Sequence, residues 1–180
     1  MLDKRHAYVG LGSNLGDRAA HLLLSVRGML DAGLCVSRLS SIYETEPVGV
    51  SEEQPAYLNM VAELSLATMR FTPTQVLARL LRVEYALGRT RRRPLAPRTI
   101  DLDLLLYADR QSDTEYLRLP HPRLHLRRFV LAPLAELAPD TEHPTLRQTF
   151  AQLLAAVPDD LAVGLWRPTA DGVFISGAEN

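Results

Sequence analysis

Cysteine, lysine and long apolar runs are all but missing from this chain of 180 residues. Cys35 is the only cysteine, which excludes an internal disulfide framework and a Cys-based zinc site. No apolar run approaches the ~20 residues that a membrane helix needs. The opening MLDKRHAYVG lacks the apolar stretch of a signal peptide, so a cytoplasmic protein away from membranes is expected. Aromatic residues make up 6%, too few to pave an RNA-binding sheet with stacking rings. Charge of one sign is missing as well. Twenty basic residues against 21 acidic ones leave a formal net charge of -1, which argues against an acidic tail or a uniformly basic nucleic-acid coat. There is no G-x-x-x-x-G-K-[ST], so a P-loop kinase is excluded, and no H-E-x-x-H. The run Gly10-Leu-Gly12-Ser-Asn-Leu-Gly16 misses the dinucleotide fingerprint by one residue in its last spacing. Internal repeats and low-complexity segments are absent too.

What is present is ordinary in amount and uneven in kind. A chain with 47% hydrophobic and 23% charged residues builds one globular domain with a sizeable core. Residues 1–157 read as that domain and 158–180 as a C-terminal extension. Among the basic residues, 19 are Arg and only Lys4 is Lys. Together with 33 Leu and 20 Ala, this is the bias of GC-rich codons, and most of the arginines are expected to be solvated. Arg89, Arg91, Arg92, Arg93 and Arg98 stand apart because they fall so close together. The guanidinium fork suits phosphate.

Periodicity sets the elements. His6 to Gly12 predicts a strand, with Ala7, Val9 and Leu11 alternating against Tyr8, Gly10 and Gly12. Asp17 caps a predicted helix whose apolar positions are Ala19, Leu22, Leu23, Val26, Met29 and Leu30, ended by Gly33. Leu34 to Tyr43 predicts a strand and Glu46 to Pro55 a loop. Tyr57 to Leu66 alternates strictly, with Leu58, Met60, Ala62, Leu64 and Leu66 on one face and Tyr57 and Asn59 on the other. Thr72 and Pro73 open a second helix with a stripe of Val76, Leu77, Leu80, Leu81, Val83 and Leu87, closed by Gly88. Glu84 falls inside that stripe and needs a partner. Arg89 to Pro97 is an Arg- and Pro-rich loop, and Thr99 to Tyr107 is the next strand. The order β-α-β-β-α-β predicts an α+β sandwich, an antiparallel sheet with helices on one face. Beyond it come a short strand near Leu117, helices over 129–137 and 146–156, and a C-terminal strand pair.

The most informative run is Arg98-Thr-Ile-Asp-Leu-Asp-Leu-Leu-Leu. Alternation puts Ile100, Leu102, Leu104 and Leu106 on one face and Asp101 and Asp103 side by side on the other. Two mid-strand aspartates repel each other and disfavour a strand. A divalent cation shared with substrate phosphates compensates them, the usual manner of binding Mg²⁺. A solvent-exposed strand face carrying two acids is the plainer alternative, and the arginines immediately upstream weigh against it. The same face carries Tyr57, Asn59, Gly10 and Gly12: a flat ring, a donor–acceptor pair and room for a ligand. His121, flanked by prolines, has either a structural role or a place in this site.

These residues also carry a resemblance. Gly12-Ser-Asn-Leu-Gly, Tyr43-Glu-Thr-Glu-Pro-Val-Gly, Gln54-Pro-Ala-Tyr-Leu-Asn, Gly88-Arg-Thr-Arg, Ala96-Pro-Arg-Thr-Ile-Asp-Leu-Asp-Leu-Leu and Leu119-Pro-His-Pro-Arg follow the order and spacing of the 6-hydroxymethyl-7,8-dihydropterin pyrophosphokinase family. The resemblance runs from about Tyr8 to about Ala151. It implies a ferredoxin-like βαββαβ fold with C-terminal additions. The implied activity is transfer of pyrophosphate from ATP to the pterin hydroxymethyl group in folate biosynthesis, with release of AMP. It implies that Asp101 and Asp103 hold two Mg²⁺ ions and that Arg89, Arg91 and Arg98 stabilise the transferring phosphates. Tyr57 and Phe129 match the aromatics that sandwich the pterin. Asn59 matches the side chain on the pterin edge, and Thr45, Glu46, Pro47 and Val48 match a loop that reads that edge largely through its backbone. Glu84, Arg89, Arg91, Arg98, His121 and Arg127 match positions around ATP. The partners implied are these two small molecules, with no nucleic acid and no membrane, and a monomer is expected. The chain departs from the family where Arg-Trp-Gly-Pro-Arg is replaced by Pro94-Leu-Ala-Pro-Arg98, one residue shorter from Gly88. Two other classes stay open on the residues alone. A nucleotidyltransferase also carries a strand D-x-D, but its Gly-Ser lies close by in sequence, whereas Gly12-Ser13 is far from Asp101. An Arg-rich RNA-binding module would need stacking aromatics on the central strands, and paired aspartates there would repel RNA.

Overall fold

The structure, a computed structural model, describes residues 5–47, 54–89, 96–158 and 163–168. Its sheet is built around His6–Ser13 (β1), which pairs antiparallel with Tyr57–Ser65 (β4) on one side and Asp101–Tyr107 (β5) on the other. Val36–Leu39 (β2) and Tyr43–Thr45 (β3) both pair with β4, and Val163–Leu165 (β8) pairs with β3. The strand order is β5-β1-β4-β3-β8, all antiparallel. A separate hairpin joins Ser112–Asp113 (β6) and Arg118–Leu119 (β7).

Two capped helices cover one face. Asp17 accepts the Ala20 N–H at 3.0 Å and starts Arg18–Asp31 (α1). Thr72 and Gln75 form a reciprocal capping box at the start of Pro73–Ala86 (α2). Left-handed glycines follow both helices, Gly33 at φ +80 and Gly88 at φ +78. Leu22, Met29, Val76, Leu80 and Val83 pack on Ala7, Val9, Leu11, Met60, Ala62, Leu64, Leu102 and Leu104. Each fully buried Leu or Val there stabilises the fold by roughly 1.5–3 kcal/mol. Leu23, Leu30 and Leu81, placed in the helix stripes by their spacing, face solvent instead.

The two helices of the β-α-β-β-α-β core share one face, and the C-terminal additions cover part of the other. Arg128–Leu137 (α3) and Phe150–Ala156 (α4) cover half of the opposite face. There Val130, Leu131, Leu134, Phe150 and Leu153 bury Tyr8, Val61, Leu105 and Leu106. The position of Leu106 has a local cause. The β1–β5 register shifts between Tyr8, opposite Leu106, and Val9, opposite Leu104, so Leu105 is a bulged residue. One extra residue reverses the alternation, and Leu106 leaves the face predicted for it.

The strand predicted over 34–43 is two strands. Ser40 breaks it because its hydroxyl accepts the Val61 N–H at 2.9 Å and donates to the Ser41 carbonyl at 2.7 Å, replacing a ladder bond. Ser41 N–H then turns to the Glu136 carboxylate at 3.0 Å. The last helix begins at Phe150 rather than 146, where Thr149 and Gln152 form a second capping box. Arg147, at φ 57, is incompatible with a helix start upstream. Of the C-terminal strand pair only β8 falls among the described residues.

Candidate active site

Because α3 and α4 cover half of the second sheet face, the other half is the floor of a cleft of about 590 Å³. Gly10, Gly12, Tyr57, Asn59, Asp101 and Asp103 line it from the strands, and Arg98, Arg123, Arg127, Arg128 and Phe129 from the rim. The register explains the juxtaposition. Gly10 lies opposite Asp103 and Gly12 opposite Asp101 on one side, and Gly12 opposite Asn59 on the other. The face predicted from alternation is therefore assembled in the fold.

At one end, Asn59 is nearly buried and its Nδ2 donates to Thr45 Oγ1 at 2.8 Å. The amide is thereby oriented before any ligand arrives. Thr45 and Glu46 line the same end of the cleft. Pro47 is described but does not line it, and Val48 lies outside the described residues.

At the other end runs a chain of alternating charge. Glu84, on α2 and only 3% exposed, accepts the Leu102 N–H at 2.7 Å and the Arg89 guanidinium. Arg89 Nη1 also reaches Asp101 Oδ1 at 2.5 Å, while Arg98 Nη1 reaches Asp101 Oδ2 at 2.6 Å. The guanidinium of Arg98 stands 5.9 Å from the centre of the Tyr57 ring. Glu84 thus has the partners its place in an apolar stripe demanded, and it stands behind the β5 backbone rather than lining the cleft. Arg91, Arg92 and Arg93 lie outside the described residues.

Asp103 is pushed up to about 6, chiefly by burial and then by the neighbouring Asp101 charge. His121 is anchored through its N–H to the carbonyl of the bulged Leu105 at 2.8 Å. Its Nδ1 accepts the Arg123 N–H at 3.3 Å, so the neutral ring carries its proton on Nε2, 3.9 Å from Asp103 Oδ2. Burial, with Arg127 and Arg123 nearby, lowers His121 to about 4, and the ring is neutral at pH 7. Burial and Arg123 also pull Arg127 below the ordinary arginine value. Such a cationic rim favours an anion.

Arg123 and Arg128 are cleft residues that sequence reasoning missed. Arg123 had a signal, two residues past His121 in the same Pro-flanked motif. Asn14 had one too, its place in the motif Gly12-Ser-Asn-Leu-Gly, but its partners Gln54 and Arg98, 40 and 84 residues away, could not be read from that. Buried side-chain atoms without a hydrogen-bond partner among the described residues are Ser13 Oγ, Arg98 Nε, Thr99 Oγ1 and His143 Nε2. Three of them belong to the segments that end β1 and enter β5, and of these three residues only Arg98 lines the cleft. Among the described residues no group of three or more His, Cys, Asp or Glu is placed to hold a metal. At the end away from Glu46 the cleft offers two hard carboxylates, Asp101 and Asp103, and this suits Mg²⁺ completing its shell with water and phosphate.

Residues 8–139 match the family model of 7,8-dihydro-6-hydroxymethylpterin-pyrophosphokinase. The 2-amino-4-hydroxy-6-hydroxymethyldihydropteridine pyrophosphokinase of Bacillus subtilis is 40% identical over 162 residues, covering 89% of this chain and 90% of that protein. The enzyme of the same name from Methylorubrum extorquens is 43% identical over 150 residues, covering 82% and 92%. A crystal structure of Plasmodium falciparum HPPK-DHPS with pterin and p-hydroxybenzoate superposes with a TM-score of 0.64 at 16% identity. The match covers 84% of this chain and 42% of that one, so the likeness is one of fold over less than half of the larger protein.

Proposed function

The chain belongs to the 7,8-dihydro-6-hydroxymethylpterin-pyrophosphokinase family, and from that membership we propose how its cleft performs the reaction. The enzyme transfers pyrophosphate from ATP to the hydroxymethyl group of 6-hydroxymethyl-7,8-dihydropterin and releases AMP, a step of folate biosynthesis. The pterin hydroxyl oxygen forms a bond to the β-phosphorus, and the bond from that phosphorus to the α,β-bridging oxygen breaks. The observation that carries the site assignment is the pair Asp101 and Asp103 on the cleft floor opposite glycines, with Arg89 and Arg98 at hand.

In this reading Asp101 and Asp103 hold Mg²⁺, two ions in number, which when bound would neutralise the charge of the transferring phosphates. Arg89, Arg91 and Arg98 then serve the phosphates as the bond to AMP breaks. The structure's ion pairs suggest an exchange, in which the arginines leave Asp101 for the phosphates. His121 and Arg127 belong to the nucleotide end. Glu84 acts through Arg89 and the Leu102 peptide rather than by touching ATP. Tyr57 and Phe129 stack on the pterin, and Asn59, with the Thr45, Glu46, Pro47 and Val48 loop through its backbone groups, reads its edge. The strand order β5-β1-β4-β3 with α1 and α2 on one face supports a ferredoxin-like core within a domain of residues 1–157. Both ends of the cleft come from one chain, which supports a monomer. A cytoplasmic setting is consistent with its small soluble substrates, and no described helix is long and apolar enough to cross a membrane.

The test is direct. Incubation with ATP, Mg²⁺ and the hydroxymethyldihydropterin yields AMP, and release of ADP instead would reject the assignment. Asp101→Ala abolishes turnover, on the order of a 10³-fold loss or more given what charge stabilisation contributes, while circular dichroism stays that of the wild type.

A further inference from the structure

The motif Gly12-Ser-Asn-Leu-Gly16 supplies a floor glycine, but the asparagine at its centre has no part in the chemistry described so far. We propose that Asn14 is a positioning residue that couples the two ends of the cleft, so that nucleotide and pterin strengthen each other's binding. The proposal rests on the assignment of those two ends given above.

Asn14 is fully buried. Its main chain and side chain grip one residue, with the backbone N–H donating to the Arg98 carbonyl at 3.2 Å and Oδ1 accepting the Arg98 N–H at 2.9 Å. That clamp sets the backbone from which the Arg98 guanidinium reaches Asp101. The other half of the same carboxamide faces the opposite flank. Nδ2 donates to Gln54 Oε1 at 3.2 Å and points at the Pro55 carbonyl at 3.5 Å. Pro55 is two residues ahead of Tyr57, which lines the pterin end. A planar amide cannot turn its acceptor toward a shifted Arg98 without moving its donor away from Gln54. Displacement at one flank is therefore felt at the other, which is the physical content of a coupling energy.

Arg18 provides an internal contrast. It lies four residues on and touches the pterin flank alone, with Nη1 at 2.7 Å from the Ala56 carbonyl and 2.8 Å from Glu44 Oε1. It has the same neighbourhood without the second arm.

Titration calorimetry with Mg²⁺ and α,β-methylene-ATP, inert at the bond that breaks, and with the hydroxymethyldihydropterin tests the idea. Each ligand is titrated alone and in the presence of the other. Wild-type protein shows a coupling factor of about fivefold or more, the usual range for linked sites. In Asn14→Asp the acceptor for Arg98 remains and the donor to Gln54 is lost, so nucleotide affinity alone stays within about threefold while coupling falls below about twofold. Asn14→Ala loses both arms and the coupling with them. Arg18→Gln weakens the pterin and leaves the coupling factor unchanged. Should Asn14→Ala fail to fold, Asn14→Asp and Gln54→Met carry the measurement. Wild-type coupling in folded Asn14→Asp and Gln54→Met, or equal loss in Arg18→Gln, overturns the proposal. Wild-type protein that bound nucleotide but no pterin would overturn the site assignment along with it.

Discussion

Gly12 shows how little space separates the strand floor from the group that reads the ligand. A Cβ added there would lie 3.1 Å from Asn59 Oδ1 and 4.0 Å from the Tyr57 ring. The amide cannot swing aside freely, because Thr45 holds its other end at 2.8 Å. Gly12→Ala is therefore expected to raise KM for the pterin about tenfold, roughly the 1.4 kcal/mol of one modest displacement. KM for ATP and the melting temperature should stay close to wild type, and steady-state kinetics against each substrate separates the effects. A matching rise in KM for ATP would show that the methyl disturbs the whole floor. At this scale much of the cleft was legible. Period-two alternation places Tyr57, Asn59, Gly10, Gly12, Asp101 and Asp103 on one surface before any coordinates are known, because a pleated strand has no other way to dispose of its side chains. Arg128 and the pairing of Asn14 were not legible. Arg128 reaches the cleft only because α3 lies across the second face, and the partners of Asn14 are remote in sequence. Pairing at that distance leaves no periodic trace.

Elements were legible where their signals are local. Capping residues Asp17 and Thr72 and the glycines after α1 and α2 mark helix ends through hydrogen bonds and dihedral preference within a few residues, whereas the equally local Thr149 cap was passed over and its helix placed four residues early. The Leu105 bulge and the Ser40 break were not, since both depend on which strand lies alongside. Ser40 breaks the strand by receiving the N–H of Val61, a residue of β4. The same dependence on a neighbour governs α1. Gly28 looks like a weakness in a helix, and Ala there ought to add about 1 kcal/mol of helix propensity. The α1–α2 crossing forbids it, because a Cβ at Gly28 would lie 2.9 Å from Val83 Cγ1 and 3.3 Å from Cγ2. Val83 is β-branched, held in a helix and buried, so it has no other rotamer to take. Gly28→Ala is expected to destabilise by about 1–3 kcal/mol, the cost of overpacking. Adding Val83→Ala should recover part of the loss despite deleting buried carbon. Urea denaturation of the two single variants and the double variant gives the coupling, and an additive result would show that α1 moves away without cost.

At the scale of the molecule, two groups of the described arginines contrast. Arg27, Arg118 and Arg147 pair with Asp31, Asp113 and Glu142 on the surface, where such pairs contribute little. Arg98, Arg123, Arg127 and Arg128 converge on one cleft, which makes a balanced net charge compatible with a strongly cationic site. Histidine contributes one part of the response of the fold to pH. His143 stands in the connection between α3 and α4, is 3% exposed, and is lowered to about 4, first by burial and then by the adjacent His125. Its Nδ1 accepts the N–H groups of Thr145 at 3.4 Å and Leu146 at 3.3 Å, so a proton there would face two donors. His121 is lowered to about 4 as well. The unfolded chain binds both protons below about pH 6.5, whereas the folded chain resists them until about pH 4. The stability that depends on these two histidines is therefore full above pH 6.5 and declines as pH falls toward 4, by up to about 1.4 kcal/mol per pH unit for each, while Asp103, raised to about 6, works in the opposite sense between about pH 6 and 4. Asparagine offers an oxygen in place of Nδ1 and does not titrate. His143→Asn should keep the turn of residues 143–146 and remove about half of the histidine-driven slope between pH 6.5 and 4, measured as melting temperature against pH. A slope equal to that of the wild type would assign the acid sensitivity to His121 and the carboxylates instead.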